Sequence, residues 1–184
     1  MTLVGPSPTV PRLVSIVPGV AFFAGIALGV CAAVNHNRLP DYVATFMSIF
    51  GASVPNFVAA FLLLVLFIVI LPSTFGLNLG FKTTWTGDPK DFILPVAALA
   101  FLPLATITAF TRASMLDAIR YDYVRTARAK GVAENRVISR HVLKNALMPA
   151  ITLIGPIFAG VGTGTFVVEQ TFGIPGIGKY FVNS

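Results

Sequence analysis

The apolar positions of this chain fall into four long segments without Asp, Glu, Lys or Arg. In chain order, the segments are 13–37, 42–71, 92–111 and 145–168. A helix needs roughly 20 consecutive apolar residues to cross the hydrocarbon core of a bilayer. The first, third and fourth segments therefore each predict one membrane-spanning helix, at about 13–35, 92–111 and 146–168.

The second segment, 42–71, is too long for one straight span and contains Pro55. Proline removes a backbone donor and pushes the preceding residue away from helical geometry. We therefore expect a helix over 42–52 near the membrane interface and a spanning helix over 55–71. The whole pattern predicts an all-α membrane protein, a polytopic helical bundle with about four spans, in a single domain over 1–184.

Composition supports a membrane environment. Of 184 residues, 55% are hydrophobic and 11% are charged, whereas a soluble domain carries about 25% charged residues. A chain this apolar cannot cover a water-facing surface. The net charge of +6 is concentrated rather than spread along the chain, so we do not expect a nucleic-acid partner. The only cysteine, Cys31, excludes an internal disulfide, and its apolar surroundings in the sequence predict that it is buried.

Eight of the 13 Lys and Arg residues lie in one segment, 112–144, which we call the basic segment. Loops rich in Lys and Arg stay in the cytoplasm. The basic segment is therefore predicted to be cytoplasmic, and Arg38, two spans earlier, falls on the same side. The charge-balanced loop 72–91 is predicted to lie outside, together with 1–12 and 169–184.

The basic segment also has an internal pattern. Helix-favouring residues precede and follow Gly131, which predicts a helix end or a tight turn at that position. After it, Arg136, Arg140 and Lys144 recur every four residues and form one basic stripe. Such a helix–glycine–helix arrangement suits either an anionic lipid surface or a groove on a soluble protein. The positive-inside rule alone would explain the charge, but it would not require an ordered helix pair.

Small residues and prolines add two expectations about packing. Gly25 and Gly29, and likewise Gly160 and Gly164, are four residues apart, and such pairs let helices approach closely in lipid. We expect them mainly to serve packing within the chain. Pro95, Pro103 and Pro156 are expected to kink their helices.

Two runs in the basic segment closely resemble the cytoplasmic EAA loop of ABC-transporter permeases. They are Asp122-Tyr-Val-Arg-Thr-Ala-Arg-Ala-Lys-Gly131 and Arg140-His-Val-Leu-Lys-Asn-Ala-Leu-Met-Pro149. The nearest branch is the inner-membrane permease subunits of bacterial oligopeptide and dipeptide importers. The resemblance continues, in order and spacing, through Asp41-Tyr-Val-Ala44, Ser53-Val-Pro-Asn-Phe57, Ile93-Leu-Pro-Val96 and Thr111-Arg-Ala-Ser-Met-Leu116.

In that family the loop forms a coupling helix that sits in a cleft of a cytoplasmic ATP-binding subunit. The resemblance therefore implies an ATPase-coupling role for Asp122, Tyr123, Arg125, Thr126, Ala127, Arg128, Gly131, Arg136 and Arg140. Two departures are visible. The general consensus begins Glu-Ala-Ala, and the aligned positions here are Arg125, Thr126 and Ala127. The later Leu-Pro of the consensus falls on Leu143-Lys144.

The resemblance also implies a fold and partners. The fold is that of a type I ABC importer permease of about six helices, and we expect the chain to be a fragment corresponding to the second to fifth. The implied partners are cytoplasmic ABC ATPase subunits, which bind ATP and magnesium, a second homologous permease, and a periplasmic or extracellular substrate-binding protein. The chain itself is expected to be a peptide permease in the bacterial inner membrane, with no cofactor or ATPase site of its own.

Other functions stay open at this point. Related permeases handle nickel complexes, glutathione, sugars or opines. Ion-coupled transporters place ionisable groups within the membrane, whereas the four spans here have no acidic or basic residue, which disfavours a carrier or channel. The run Gly173–Tyr180 is similar to the phosphate-binding pattern G-x-x-x-x-G-K-[S/T]. Because Tyr180 replaces the Ser or Thr that would bind magnesium, we interpret this run as an external turn.

Overall fold

The computed structural model describes residues 9–82 and 85–175 of the chain. Within these ranges the helices are, in chain order, α1 Thr9–Val34, α2 Leu39–Ser53, α3 Asn56–Phe75, α4 Pro89–Ile119, α5 Asp122–Ala129, α6 Glu134–Thr152 and α7 Ile154–Phe172. The all-helical class predicted from the sequence is confirmed for the described residues.

Three helices, α1, α3 and α4, are each long and apolar enough to cross a membrane. Among the described residues, a fourth span requires that α6 and α7 cross together, because the chain bends by 40° between them, around Leu153. Pro156 explains the bend, since it has no N–H to donate to the carbonyl of Thr152, four residues earlier. The stretch 146–168, predicted as one span, thus contains a break.

The helix expected over 42–52 is present as α2, which begins three residues earlier, at Leu39, and ends at Ser53. It packs inward through small or short side chains, which are Asp41, Ala44, Ser48 and Gly51. Its large apolar side chains point outward, and among them Phe46 and Phe50 stack with ring centroids 6.1 Å apart. A helix that hides its small residues and exposes its bulky apolar ones fits a lipid environment.

The chain divides into two compact units. The first contains the described residues of 9–19, 54–102 and 157–175, which include α3 and most of α7. Within it, α7 passes close to the start of α3, because a Cβ atom added at Gly164 would lie 3.2 Å from Asn56 Nδ2.

Polar contacts, also in the first unit, join the loop that follows α3 to the start of α4. Lys82 Nζ lies 3.0 Å from Asp88 Oδ2, and the Thr86 amide donates a 2.7 Å hydrogen bond to Asp91 Oδ2. The hydrogen bond from Lys82 holds the pKa of Asp88 below its usual value. These contacts join Lys82 and Thr86 to residues at the start of α4, in a segment that the sequence shows only as charge-balanced.

The second unit contains residues 20–53 and 103–156. In it α1 lies directly against α4. A Cβ atom at Gly25 would lie 2.8 Å from Ile107 Cβ, and one at Gly29 would lie 2.6 Å from Thr111 Cβ. The close-packing role predicted for these two glycines is confirmed. By contrast, a Cβ at Gly160 would meet no described atom within 4 Å.

One expectation about α1 is wrong. Cys31, predicted to be buried, is exposed. An apolar run in a membrane protein supplies the face toward lipid as well as the face toward the core, so apolar neighbours in the sequence do not establish burial.

Candidate functional site

The candidate site is built on the short helix α5, which follows α4 after a two-residue turn. The extended backbone of Tyr121 starts the helix, and its carbonyl accepts hydrogen bonds from the amides of Val124 at 3.0 Å and Arg125 at 3.3 Å. Asp122 stands in the first turn, where a carboxylate is favoured by the positive end of the helix dipole. Val124 and Ala127, three residues apart, are buried, so α5 is amphipathic.

Gly131 ends α5 in a Schellman turn. Its φ angle is +75°, in the left-handed region that glycine adopts without strain. The Gly131 amide donates to the Arg128 carbonyl at 2.9 Å, and the Val132 amide donates to the Ala127 carbonyl at 3.3 Å. This pair of bonds defines the motif. The helix end predicted at Gly131 is therefore present, and the turn directs the chain into α6.

An ion pair spans this turn. Arg128 Nε donates to Glu134 Oε2 at 3.0 Å and joins the end of α5 to the start of α6. The hydrogen bond from Arg128 lowers the pKa of Glu134. Both side chains are about half exposed, so the pair contributes no more than about 1 kcal/mol to stability.

The buried side of α5 rests on an apolar cluster, which we call the α5 core. Its buried members are Ala33, Met115, Ala118, Val124, Ala127, Val137, Val142 and Ala146. They come from the ends of α1 and α4, from α5 itself and from α6. Only two of these residues belong to α5. The helix is therefore held in place mainly by the apolar side chains of α1, α4 and α6.

Helix α6 packs on the same core through a π-helical turn. Val137 and Val142, five residues apart at the two ends of this turn, are both completely buried. The stripe predicted at Arg136, Arg140 and Lys144 is exposed. Tyr123 adds a polar link from α5, since its hydroxyl accepts a 2.9 Å hydrogen bond from Asn145 Nδ2.

The structure separates the nine residues predicted for the coupling site into two groups. Eight of them are exposed, and these are Asp122, Tyr123, Arg125, Thr126, Arg128, Gly131, Arg136 and Arg140. The ninth, Ala127, is buried in the α5 core with 7% of its surface exposed. Ala127 therefore helps to hold α5 in place and offers very little surface to a partner.

Sequence reasoning missed an ion pair in the same unit, between the buried carboxylate of Asp41 and the guanidinium of Arg112, whose side chain is 25% exposed. Asp41, at the start of α2, is bound by both Nε and Nη2 of Arg112 on α4. His36 Nδ1 lies 3.0 Å from Asp41 Oδ2. The available signal was position: Asp41 directly precedes the uncharged segment 42–71, and Arg112 directly follows the uncharged segment 92–111.

Two further sequence features lie at the end of α7. Glu169 is buried, and its carbonyl accepts a 2.9 Å hydrogen bond from the Ile174 amide across Gly173. This contact is a helix-terminating turn. The remainder of the run that is similar to a phosphate-binding loop, beyond Pro175, lies outside the described residues.

Comparison with known proteins identifies relatives for this arrangement. The family described as the inner membrane component of binding-protein-dependent transport systems matches residues 25–184. The chain is 46% identical over 165 residues to the dipeptide transport system permease protein DppB of Bacillus subtilis (strain 168), an alignment that covers 90% of this chain and 51% of that protein. It is 40% identical over 164 residues to the oligopeptide transport system permease protein OppB of Escherichia coli (strain K12), covering 89% and 52%.

These relatives bear on two expectations. The resemblance to permease subunits of bacterial peptide importers, stated on the two runs of the basic segment, is confirmed at the level of sequence identity. The chain spans about half the length of the curated relatives it matches. Together with its apolar helices, the family match makes the chain a multi-pass membrane protein.

Proposed function

We propose that this chain, which belongs to the family of inner membrane components of binding-protein-dependent transport systems, is a permease subunit of an ATP-driven importer for peptides. In this proposal it forms part of the translocation pathway in the bacterial inner membrane. Cytoplasmic ABC ATPase subunits bind ATP and magnesium and hydrolyse the ATP, a second homologous permease completes the pathway, and a substrate-binding protein delivers the solute.

The observation that carries the proposal is the construction of α5. A short amphipathic helix exposes polar residues such as Arg125 and Thr126 while Val124 and Ala127 fix it to the α5 core. A helix held this way can receive a push on its exposed face and pass it to the ends of α1 and α4. Because the described spans contain few ionisable groups to form an ion relay, a partner that hydrolyses ATP is the energy source this arrangement fits best.

Peptides are proposed as the substrate because the relatives are named as dipeptide and oligopeptide transport permeases. The test is uptake by proteoliposomes that contain this chain, the second permease, both ATPase subunits and the binding protein. We expect uptake of a labelled dipeptide or oligopeptide that requires ATP. Uptake of a nickel complex or glutathione instead of peptides would assign this chain to another substrate branch of the family. No ATP-dependent uptake of any solute would contradict the importer function.

The proposed orientation gives a separate prediction. In a Cys31→Ser background, a cysteine at Arg128 is expected to react with a membrane-impermeant maleimide only from the cytoplasmic side. A cysteine at Lys90, which is exposed in the first turn of α4, is the matched control and should react only from outside. Labelling of Arg128→Cys in intact cells would show that this position faces outside and would contradict the proposed orientation.

A further inference from the structure

The buried Asp41 carboxylate has more partners than a simple ion pair supplies. Only 2% of its side chain is exposed. Arg112 donates from Nε to Oδ1 and from Nη2 to Oδ2, the latter at 3.0 Å. The Asn37 amide donates to Oδ2 at 2.9 Å, and His36 Nδ1 lies 3.0 Å from the same oxygen.

These bonds fix the charge state of the carboxyl group. The hydrogen bond from Arg112 holds the pKa of Asp41 far below its usual value, although burial acts in the opposite direction. An ionised carboxylate only accepts hydrogen bonds, so His36 must carry its proton on Nδ1. The fork of Arg112 on both carboxylate oxygens fixes orientation as well as distance. The site therefore joins the turn between α1 and α2 rigidly to α4.

A contribution to folding stability does not by itself explain why an ion pair occupies this position. Desolvation offsets most of the attraction in a buried ion pair, and well-packed apolar residues often stabilise a protein as much or more. What the pair supplies is a defined position for α2. The other buried residues of α2 are Ala44, Ser48 and Gly51, which are too small to interlock with a neighbouring helix. Asp41 is thus the largest buried side chain that anchors α2.

The other end of the pair is connected to the coupling machinery. Arg112 lies on α4 three residues before Met115 and six before Ala118, and both of those residues belong to the α5 core. A single helical segment of α4 therefore carries the support of α5 and the anchor of α2. Any displacement of this segment moves both attachments together.

We propose that Asp41 and Arg112 are positioning residues for transport, an ionic link on a buried carboxylate that makes α2 follow the displacement of α4 when α5 is pushed. This inference rests on the proposed importer function and extends it to a residue pair outside the basic stripe. α2 exposes a wide apolar face, so its movement changes what that face contacts. The pair then determines how much uptake each ATP produces, whereas the α5 core determines whether an ATPase can dock.

The test uses the complete transporter in proteoliposomes, with solute uptake and ATP hydrolysis measured on the same sample. We expect Asp41→Asn and Arg112→Lys to assemble with the ATPase subunits and to hydrolyse ATP. Their uptake per ATP should fall by about 2- to 30-fold, the range in which residues along a coupling route act. Lysine keeps the charge but not the fork. Asp117→Asn, an exposed carboxylate on the same helix, is the matched control and should leave the ratio unchanged.

A second measurement follows α2 directly. Spin labels at Phe46→Cys on α2 and Ala113→Cys on α4, both exposed, are placed in the Cys31→Ser background. With the ion pair intact, the distance between the labels should be the same without nucleotide and with ATP trapped. With Asp41→Asn, or with Arg112→Lys if the asparagine variant does not assemble, the distance distribution should change with nucleotide.

Each outcome is decisive. Uptake per ATP equal to wild type in the variants, or a loss of uptake that only follows the amount of assembled complex, would overturn the positioning role and leave the importer function standing. An unchanged label distance in the variants would also overturn it. A wild-type complex that shows no ATP-dependent uptake would instead remove the importer function, and the positioning role with it.

Discussion

Replacing Gly29 with alanine is expected to destabilise the protein, although alanine is the better helix former. A Cβ atom at this position would lie 2.6 Å from Thr111 Cβ and 2.8 Å from the Thr108 carbonyl oxygen. The carbonyl belongs to the backbone of α4 and cannot rotate away, so α1 and α4 must separate. Overpacking of this kind typically costs about 1–3 kcal/mol, which exceeds the roughly 1 kcal/mol that alanine gains over glycine in a helix.

Gly19 provides the matched control on the same helix, since a Cβ atom there meets nothing within 4 Å. Gly19→Ala should keep or raise the midpoint of thermal unfolding in detergent, followed by size-exclusion chromatography of a fluorescent fusion. Gly29→Ala should lower the midpoint and the yield of monodisperse protein. If Gly29→Ala were as stable as Gly19→Ala, α1 and α4 would not approach as closely as described.

These glycines show which part of the helix packing is predictable from the sequence. The pair Gly25 and Gly29 predicted close helix packing, because small residues at this spacing have that use in lipid. The partner helix was not predictable, since both sides of a spanning helix are apolar and the pattern does not distinguish the face toward protein from the face toward lipid. Cys31 was assigned wrongly for the same reason.

The water-facing part of the site was predicted better. Around Gly131, polar and apolar positions have different environments, so the sequence shows the helix, the turn and the basic stripe. The sequence did not show that Ala127 faces inward. Its coupling role was assigned by resemblance to a family, and such a resemblance does not distinguish residues that hold α5 in place from residues that contact the ATPase. The link between Asp41 and Arg112 joins residues 71 positions apart, and no local pattern predicts such a pair.

Replacing Gly131 with proline is expected to abolish transport while the chain still inserts into the membrane. Proline fixes φ near −65°, whereas the φ angle of Gly131 is +75°. It also removes the amide that donates to the Arg128 carbonyl at 2.9 Å. The Schellman turn then cannot form, so α5 loses its defined end and its direction relative to α6. In the assembled transporter we expect ATP hydrolysis that no longer responds to substrate and uptake at background.

The variant Gly131→Asn is the control that distinguishes the effect of losing the turn from the effect of replacing glycine as such. Asn is the residue after glycine that best tolerates the left-handed conformation, and a Cβ atom at position 131 meets nothing within 4 Å. Gly131→Asn should therefore retain most uptake, with a cost of at most about 1–2 kcal/mol in the turn. The two variants differ in backbone geometry while the exposed side chains of α5 stay the same. Normal uptake by Gly131→Pro would mean that the position of α5 does not matter for transport, and the coupling role would have to be given up.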